Sequence, residues 1–226
     1  MAKQLTLALP VRPALGRADF FVSDANETAV TRIEDWQNWP LGKLALIGPA
    51  GSGKTHLAHV WASLTGGDVL APRDLTDLDP SAVTAPLAID GMGGTLSDES
   101  ETLIFHIHNA LAAKGLPLLL TAEDGPARWP VRLPDLASRM TAADTARIAL
   151  PDDQLLMAVL LKQFTDRQIL VSPALVQWLG GRIERSFAAA QDAVERLDQA
   201  SLSDGSAITR SLASRVLGLG RSDPSA

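Results

Sequence analysis

The sequence predicts an α/β fold: a parallel sheet with helices on both faces, followed by a small all-α domain. Five short apolar runs bounded by Gly, Pro or Asp are typical of buried strands. Helical spacing lies between most of them, which favours parallel strands joined by helices. After Pro151 only helical spacing remains. The predicted strands are residues 44–47, 68–70, 87–90, 117–121 and 146–150.

The clearest helix of the first part covers residues 99–114, where Leu103, Ile107 and Leu111 recur at helical spacing. Four helical segments follow Pro151, each with one apolar face. Their apolar positions are Leu155, Leu156, Val159 and Leu160; residues 174–179; Phe187, Ala190, Val194 and Leu197; and Ile208, Leu212 and Val216. We therefore expect an α/β domain over residues 19–150, a helical domain over 151–220 and a polar tail over 221–226.

Composition excludes several classes of protein. The chain has no cysteine, so it has no disulfide or thiolate metal site. Its net charge of −6 comes without a basic stripe, which argues against direct DNA binding through phosphates. The longest apolar run, residues 155–161, is far shorter than the roughly 20 residues of a membrane span. We expect a cytoplasmic protein without a membrane segment.

A glycine-rich segment carries the strongest chemical signal. An apolar strand runs into Gly48-Pro-Ala-Gly51-Ser-Gly53-Lys54-Thr55, and helical spacing follows. Glycines allow successive backbone N–H groups to turn toward phosphates, and the next helix adds its positive N-terminal end. Lys54 can reach the terminal phosphates and Thr55 can coordinate Mg²⁺. The complete strand–loop–helix context favours this P-loop interpretation over a glycine-rich turn with a chance lysine.

The strand Leu-Ala-Ile-Asp90 ends in a carboxylate about 35 residues after the loop. A P-loop site needs such an aspartate to hold Mg²⁺ from the opposite side. An aspartate at a strand end is otherwise most often a turn or capping residue. Together with the P-loop, the magnesium role is the better interpretation of Asp90.

With these motifs the chain resembles the AAA+ module of the DnaA-related family, and most closely the short Hda-type regulators of that family. Residues 19–26 resemble the segment that lines the adenine pocket, and residues 118–121 resemble the sensor-1 strand. Residues 133–139, Leu-Pro-Asp-Leu-Ala-Ser-Arg, match the box that carries an arginine finger. Ile183-Glu-Arg185, expected to open the third helix of the lid, resembles sensor 2.

The resemblance implies an AAA+ fold in which the all-α domain is a lid over bound ADP or ATP. It implies that Arg139 acts as a finger on the nucleotide of a neighbouring subunit, whereas pattern alone would make Arg139 a surface ion-pair residue. Thr55 and Asp90 would hold Mg²⁺. The residues expected to contact nucleotide are Phe21, Val22, Asn26, Pro49, Ala50, Gly51, Ser52, Gly53, Lys54, Thr55, His56, Thr121 and Arg185.

The N-terminal segment, residues 1–18, is expected to be a docking peptide and linker. Gln4-Leu5-Thr-Leu7-Ala-Leu9 resembles the peptide by which replication proteins bind the DNA sliding clamp. In an extended peptide Leu5, Leu7 and Leu9 share one side, and Gln4 supplies a polar anchor. Pattern alone would favour an edge strand or a mobile tail.

Active AAA+ enzymes place a second carboxylate after the magnesium aspartate, and here that residue is Gly91. We therefore expect little intrinsic ATP hydrolysis.

The resemblance implies a regulator of replication initiation that docks on the clamp and stimulates hydrolysis of ATP bound to DnaA; a homo-oligomer is also possible.

Two alternatives stay open. A self-hydrolysing AAA+ ATPase, such as a helicase loader, would show turnover by itself. An initiator paralogue that binds DNA directly would show steeply salt-dependent affinity for duplex, but no DNA-binding domain is expected beyond the lid.

Overall fold

The computed structural model describes residues 21–76 and 78–219. Contacts between Cα atoms divide the chain into two compact units, which meet in sequence between Ala149 and Leu150. The described part of the first unit is residues 21–149, and that of the second is residues 150–219. None of the described helices is long and apolar enough to cross a membrane.

The first unit contains a five-stranded sheet whose neighbouring strands are all parallel. The strand order is β2-β3-β4-β1-β5, so β1 lies between β4 and β5. Every side chain of β1 and β4 is buried, as expected of interior strands covered on both faces. The strands are β1 (Lys43–Ile47), β2 (Asp68–Leu70), β3 (Leu87–Asp90), β4 (Leu118–Ala122) and β5 (Asp144–Arg147).

Within the described residues 21–76 and 78–149, four α-helices accompany the sheet, together with short 3-10 turns. α2 begins directly after the glycine-rich loop, and α3 begins at a cap in which the Ser97 hydroxyl accepts from Ser100 N. Leu120, Ile89, Ile104, Leu136 and Met140 belong to the core that joins the sheet to α3 and α4. The helices are α1 (Glu27–Glu34), α2 (Lys54–Thr65), α3 (Asp98–Lys114) and α4 (Pro134–Thr141).

The second unit is all-helical over its described residues and has its own core. Each of its helices starts at a side-chain cap, in which an Asp, Ser or Thr oxygen accepts from a backbone N–H of the first turn. The caps are Asp152, Ser172, Ser186 and Thr209. The helices are α5 (Asp153–Asp166), α6 (Pro173–Gly180), α7 (Phe187–Asp204) and α8 (Arg210–Leu217).

The structure confirms a parallel α/β sheet with helices, and all five predicted strands exist. Three strands differ in their bounds from the prediction. β1 begins one residue earlier, at Lys43, β4 begins and ends one residue later, and β5 covers Asp144–Arg147 rather than residues 146–150. The apolar run at residues 146–150 did not predict the bounds of β5, because β5 is an edge strand of this sheet. It pairs with β1 and buries alternate residues. Leu150, which the pattern counted as buried, is 60% exposed.

The predicted position of Arg185 in a helix was also wrong. The cap at Ser186 starts α7 at Phe187, so residues 183–185 belong to the connection after α6. The predicted docking peptide with Gln4, Leu5, Leu7 and Leu9, and the tail over 221–226, lie outside the described residues.

Candidate phosphate and magnesium site

The predicted phosphate and magnesium residues meet at one edge of the sheet because β4 lies between β3 and β1 and all three are parallel. The loop that follows β1, the Asp90 carboxylate that ends β3 and the Thr121 hydroxyl near the end of β4 come together there. Crevices at the carboxyl ends of parallel strands are the usual ligand sites of such sheets.

Three glycines shape the loop between β1 and α2. Gly51 and Gly53 have φ angles of +74° and +91°, which favour glycine. A Cβ atom on Gly48 would lie 2.9 Å from the carbonyl oxygen of Ile148 and 3.1 Å from Ser52 Oγ. The loop can therefore approach Ile148, the residue after β5, this closely only with glycine at position 48.

The loop presents groups that suit an anion. No side chain caps α2, so the N–H groups of its first turn point toward the loop without a capping oxygen. The buried hydroxyl of Ser52 has no hydrogen-bond partner within the described residues. Pro49 and His56 are half-buried at the ends of this segment, and Ala50 is exposed. A helix N-terminus with an unsatisfied hydroxyl beside it fits a phosphate group.

Lys54 lies at the start of α2 and supplies a cation beside the loop. Its Nζ donates to the carbonyl oxygens of Gly48 and Pro49, at 2.8 Å each. Burial lowers the pKa of Lys54 below its ordinary value of 10.5, and the carboxylates of Glu123 and Asp90 oppose that shift. The ammonium is thus held over the loop, where a phosphate oxygen can replace its carbonyl partners.

Thr55, Asp90 and Thr121 form a hydrogen-bonded cluster. Thr55 Oγ1 donates to Asp90 Oδ2 at 2.8 Å, and Thr121 Oγ1 donates to Asp90 Oδ1. Thr121 Oγ1 also accepts from Gly91 N at 3.0 Å. Thr121 is buried, so its hydroxyl orients the Asp90 carboxylate and is already committed to two partners.

The pair formed by the Thr55 hydroxyl and the Asp90 carboxylate fits Mg²⁺, which prefers oxygen ligands and takes few from the protein when phosphates and water supply the rest. The described residues contain no group of three or more His, Cys, Asp or Glu side chains arranged for a metal. A magnesium ion here would therefore depend on a bound phosphate.

A cavity of about 520 Å³ opens beside this cluster. Lys54, Thr55, Asp90 and Thr121 line it, which brings the predicted phosphate and magnesium residues together. Sequence reasoning missed several lining residues, and the four that follow β4 gave no signal other than that position. They are Glu123, Asp124, Arg128 and Trp129.

Gly91 follows Asp90 at the place where a second carboxylate was absent from the sequence. Its φ of +98° favours glycine, so a carboxylate-bearing residue there would strain the backbone. The exposed side chain of Glu123 nevertheless brings a carboxylate to the same cavity from the segment after β4.

Arg139 does not line the cavity that contains Lys54 and Asp90. It lies in the last turn of α4 and is exposed, with its guanidinium carbon 5.0 Å from the ring centroid of Phe105 on α3. An exposed arginine held outside the phosphate cavity of its own chain can contact a group on another molecule.

Three of the predicted nucleotide residues, Phe21, Val22 and Asn26, lie directly before α1. Asn26 is buried, its Nδ2 donates to the Phe21 carbonyl oxygen at 2.9 Å and its Oδ1 accepts from Ser23 N at 2.9 Å. The Asn26 side chain thus shapes this segment, in which Phe21 and Val22 are half-buried.

Arg185 belongs to the second unit and forms a two-pronged ion pair there. Its Nε is 2.8 Å from Asp153 Oδ1, and its NH2 group donates to Asp153 Oδ2 at 3.0 Å. Both side chains line a cavity of about 400 Å³ within that unit, together with Met157 and Ile183.

No model of a known protein family matches the chain. An uncharacterised protein of Haemophilus influenzae is 27% identical to it over 188 residues, which cover 76% of this chain and 80% of that protein. Three similar solved structures share less sequence identity with this chain, at 16–17%.

Domain III of the replication initiation protein DnaA from Thermotoga maritima matches with a TM-score of 0.72 and 17% identity, over 92% of this chain and 98% of that one. AMPPCP-bound DnaA from Aquifex aeolicus matches with a TM-score of 0.61 and 16% identity, over 83% of this chain and 66% of that one. The Holliday junction branch migration motor RuvB from T. maritima matches with a TM-score of 0.63 and 16% identity, over 88% of this chain and 70% of that one. Such low identity is evidence about the fold alone: the chain has the AAA+ fold that DnaA domain III also has.

Proposed function

We propose that this chain is a nucleotide-binding regulator of replication initiation, which supplies Arg139 to ATP bound by DnaA. One observation carries the proposal: Arg139 is exposed on α4 and absent from the cavity lined by Lys54, Thr55 and Asp90. An arginine finger that acts on the nucleotide of a neighbouring molecule must lie apart from the phosphate site of its own chain. The fold match to DnaA domain III supports a partner built on the same plan.

The chain would bind ADP or ATP at its own loop. The N–H groups of the first turn of α2, the Ser52 hydroxyl and Lys54 would hold the phosphates, while Thr55 and Asp90 would hold Mg²⁺. AMPPCP is bound by the A. aeolicus DnaA that shares this fold. With Gly91 after Asp90, this nucleotide would serve mainly as a stable ligand that orders the site. Arg185 would reach the nucleotide from the lid.

The proposed chemistry resides in the partner's site. As the γ-phosphoryl group of ATP passes to water, negative charge develops on its oxygens, and the planar guanidinium of Arg139 can neutralise it through two parallel hydrogen bonds. Fingers supplied in trans raise hydrolysis rates by roughly 10³–10⁵. DnaA would be converted to its ADP form, and a second initiation would be suppressed.

Docking on the sliding clamp through Gln4, Leu5, Leu7 and Leu9 would concentrate the regulator at replicating DNA. The test is single-turnover hydrolysis of radiolabelled ATP preloaded on DnaA, with DNA-loaded clamp present or absent. We expect the full-length protein to accelerate loss of the label only with the clamp. A variant with Gln4, Leu5 and Leu7 changed to alanine should lose this effect and keep its melting temperature, because an extended tail contributes little to a core. The docking proposal would be contradicted if the rate of ATP hydrolysis were the same with and without the clamp, and the same for the parent and the triple variant.

A self-hydrolysing ATPase is a second candidate, favoured by the exposed Glu123 carboxylate in the phosphate cavity. Glu123 could orient a water molecule in place of the residue missing at Gly91. Steady turnover by the isolated protein, lost in Glu123→Gln, would support this function over the regulatory one.

A further inference from the structure

The helix that carries Arg139 has a buried charged side chain at each end, contributed by a different element in each case. At its beginning, both carboxylate oxygens of Glu101 on α3 accept from Arg132 N, at 3.1 and 3.0 Å. Glu101 Oε2 also accepts from Leu133 N at 2.6 Å. Leu133 is the N-terminal capping position of α4 and offers no capping oxygen. Glu101, which is 2% exposed, instead fixes the backbone directly before α4 from α3.

At the other end, Lys43 at the start of β1 reaches the finger residue itself. Its Nζ donates to the carbonyl oxygen of Arg139 at 2.7 Å and lies 3.2 Å from His108 Nε2. Burial and the neighbouring Lys43 lower the pKa of His108, which keeps the ring neutral near pH 7 and able to accept from Lys43. Lys43 is 4% exposed, and it forms no ion pair with a carboxylate anywhere in residues 21–76 and 78–219.

The signs of the two charges match the dipole of α4. A carboxylate near a helix N-terminus and a cation near its C-terminus are both stabilised by the aligned peptide groups. A buried charge is nonetheless costly, and apolar side chains of similar size usually cost less. Two such charges around an eight-residue helix are therefore poorly explained by stability alone.

One stripe of α3 joins these contacts. Glu101, Phe105 and His108 are spaced four and three residues apart, so they share one face of that helix. Glu101 holds the beginning of α4, Phe105 lies under the Arg139 guanidinium, and His108 holds Lys43 against the Arg139 carbonyl. The backbone and the side chain of Arg139 are thus both fixed from α3 and β1.

We propose that Glu101 and Lys43 are positioning residues that set the pose of Arg139 for use on a neighbouring nucleotide. The inference rests on the trans role of Arg139 proposed above. Misplacement of a reacting group by about 1 Å can cost on the order of a hundredfold in rate. Loss of either anchor would leave the guanidinium present but wrongly placed.

The experiment compares Lys43→Met and Glu101→Gln with the parent in the DnaA-bound ATP assay. Each variant removes a charge at nearly constant side-chain size. We expect the maximal stimulated rate to fall between about ten- and a hundredfold, with an unchanged protein concentration for half-maximal stimulation and unchanged ADP affinity. Hydrogen exchange should accelerate in residues 134–143 and stay constant in α2. The matched controls are Lys162→Met on α5 and the exposed Glu99→Gln, which should behave as the parent.

The outcomes separate this inference from the function on which it rests. If Arg139→Ala abolishes stimulation while both charge variants keep the full rate, the positioning role is wrong and the finger stands. If Arg139→Ala keeps full stimulation, the proposed function fails and the positioning role with it. A change confined to the half-maximal concentration also contradicts the inference, since it assigns these residues to partner affinity. Should Lys43→Met fail to fold, Glu101→Gln decides.

Discussion

At the scale of single residues, Lys54 is the side-chain cation at the glycine-rich loop, which we propose binds phosphate. It lies over the loop carbonyls of Gly48 and Pro49 and shares a cavity with the carboxylates of Asp90 and Glu123. The backbone cradle of α2 does not depend on it. The two contributions to phosphate binding can therefore be separated by one substitution.

Lys54→Ala should keep the cradle and remove the cation. A hydrogen bond to a charged group contributes about 1.5–3 kcal/mol, so affinity for ADP should fall at least about tenfold. The measurement is titration calorimetry with Mg-ADP, and Lys162→Ala on α5 is the control. Equal affinity of variant and parent would mean that the loop is not a phosphate site.

At the scale of elements, the connection before α7 is tied to the start of α5 by the Arg185–Asp153 ion pair. The side chains are 66% and 60% exposed, and exposed pairs typically contribute less than about 1 kcal/mol to stability. The ion pair is more important for whether the Arg185 guanidinium is available to bind a phosphate. An arginine that must bind a phosphate has to leave its own carboxylate first.

Asp153→Asn removes that competitor without removing Arg185. We expect an almost unchanged melting temperature and a rise in ADP affinity of roughly two- to fivefold, the free energy of one exposed pair. Asp166→Asn, at the other end of α5 in a pair with Lys162, should change neither. An unchanged affinity in Asp153→Asn, or a gain that persists when Arg185 is also replaced, would separate Arg185 from the nucleotide.

The strands also show which parts of the fold the sequence could predict. Apolar residues form most of the interior strands β1 and β3, so their pattern predicted these strands within one residue. The edge strand β5 buries alternate residues, so a continuous run of apolar residues did not predict its bounds. Motif spacing predicted the meeting of the loop, Thr55 and Asp90. Glu123, Glu101 and Lys43 carry no motif, and their roles come from tertiary contacts that local spacing does not encode.

At the scale of the whole molecule, we propose that one chain has two separate roles. Lys54, Thr55 and Asp90 would hold the chain's own nucleotide, while Arg139 would act on the nucleotide of DnaA. The N-terminal peptide would bring the two proteins together on the clamp. A defect in the finger should therefore spare everything the chain does alone.

The measurement that tests this most directly is single-turnover loss of radiolabelled ATP from DnaA, at equal clamp concentration, with parent, Arg139→Ala or Arg139→Lys. Arg73→Ala, another exposed arginine of the α/β unit, is the control. We predict that Arg139→Ala keeps its ADP affinity and melting temperature yet loses stimulation, that Arg139→Lys recovers little because an ammonium lacks the planar fork, and that Arg73→Ala matches the parent. Undiminished stimulation by Arg139→Ala would contradict the trans-finger mechanism, even with every nucleotide-binding prediction confirmed.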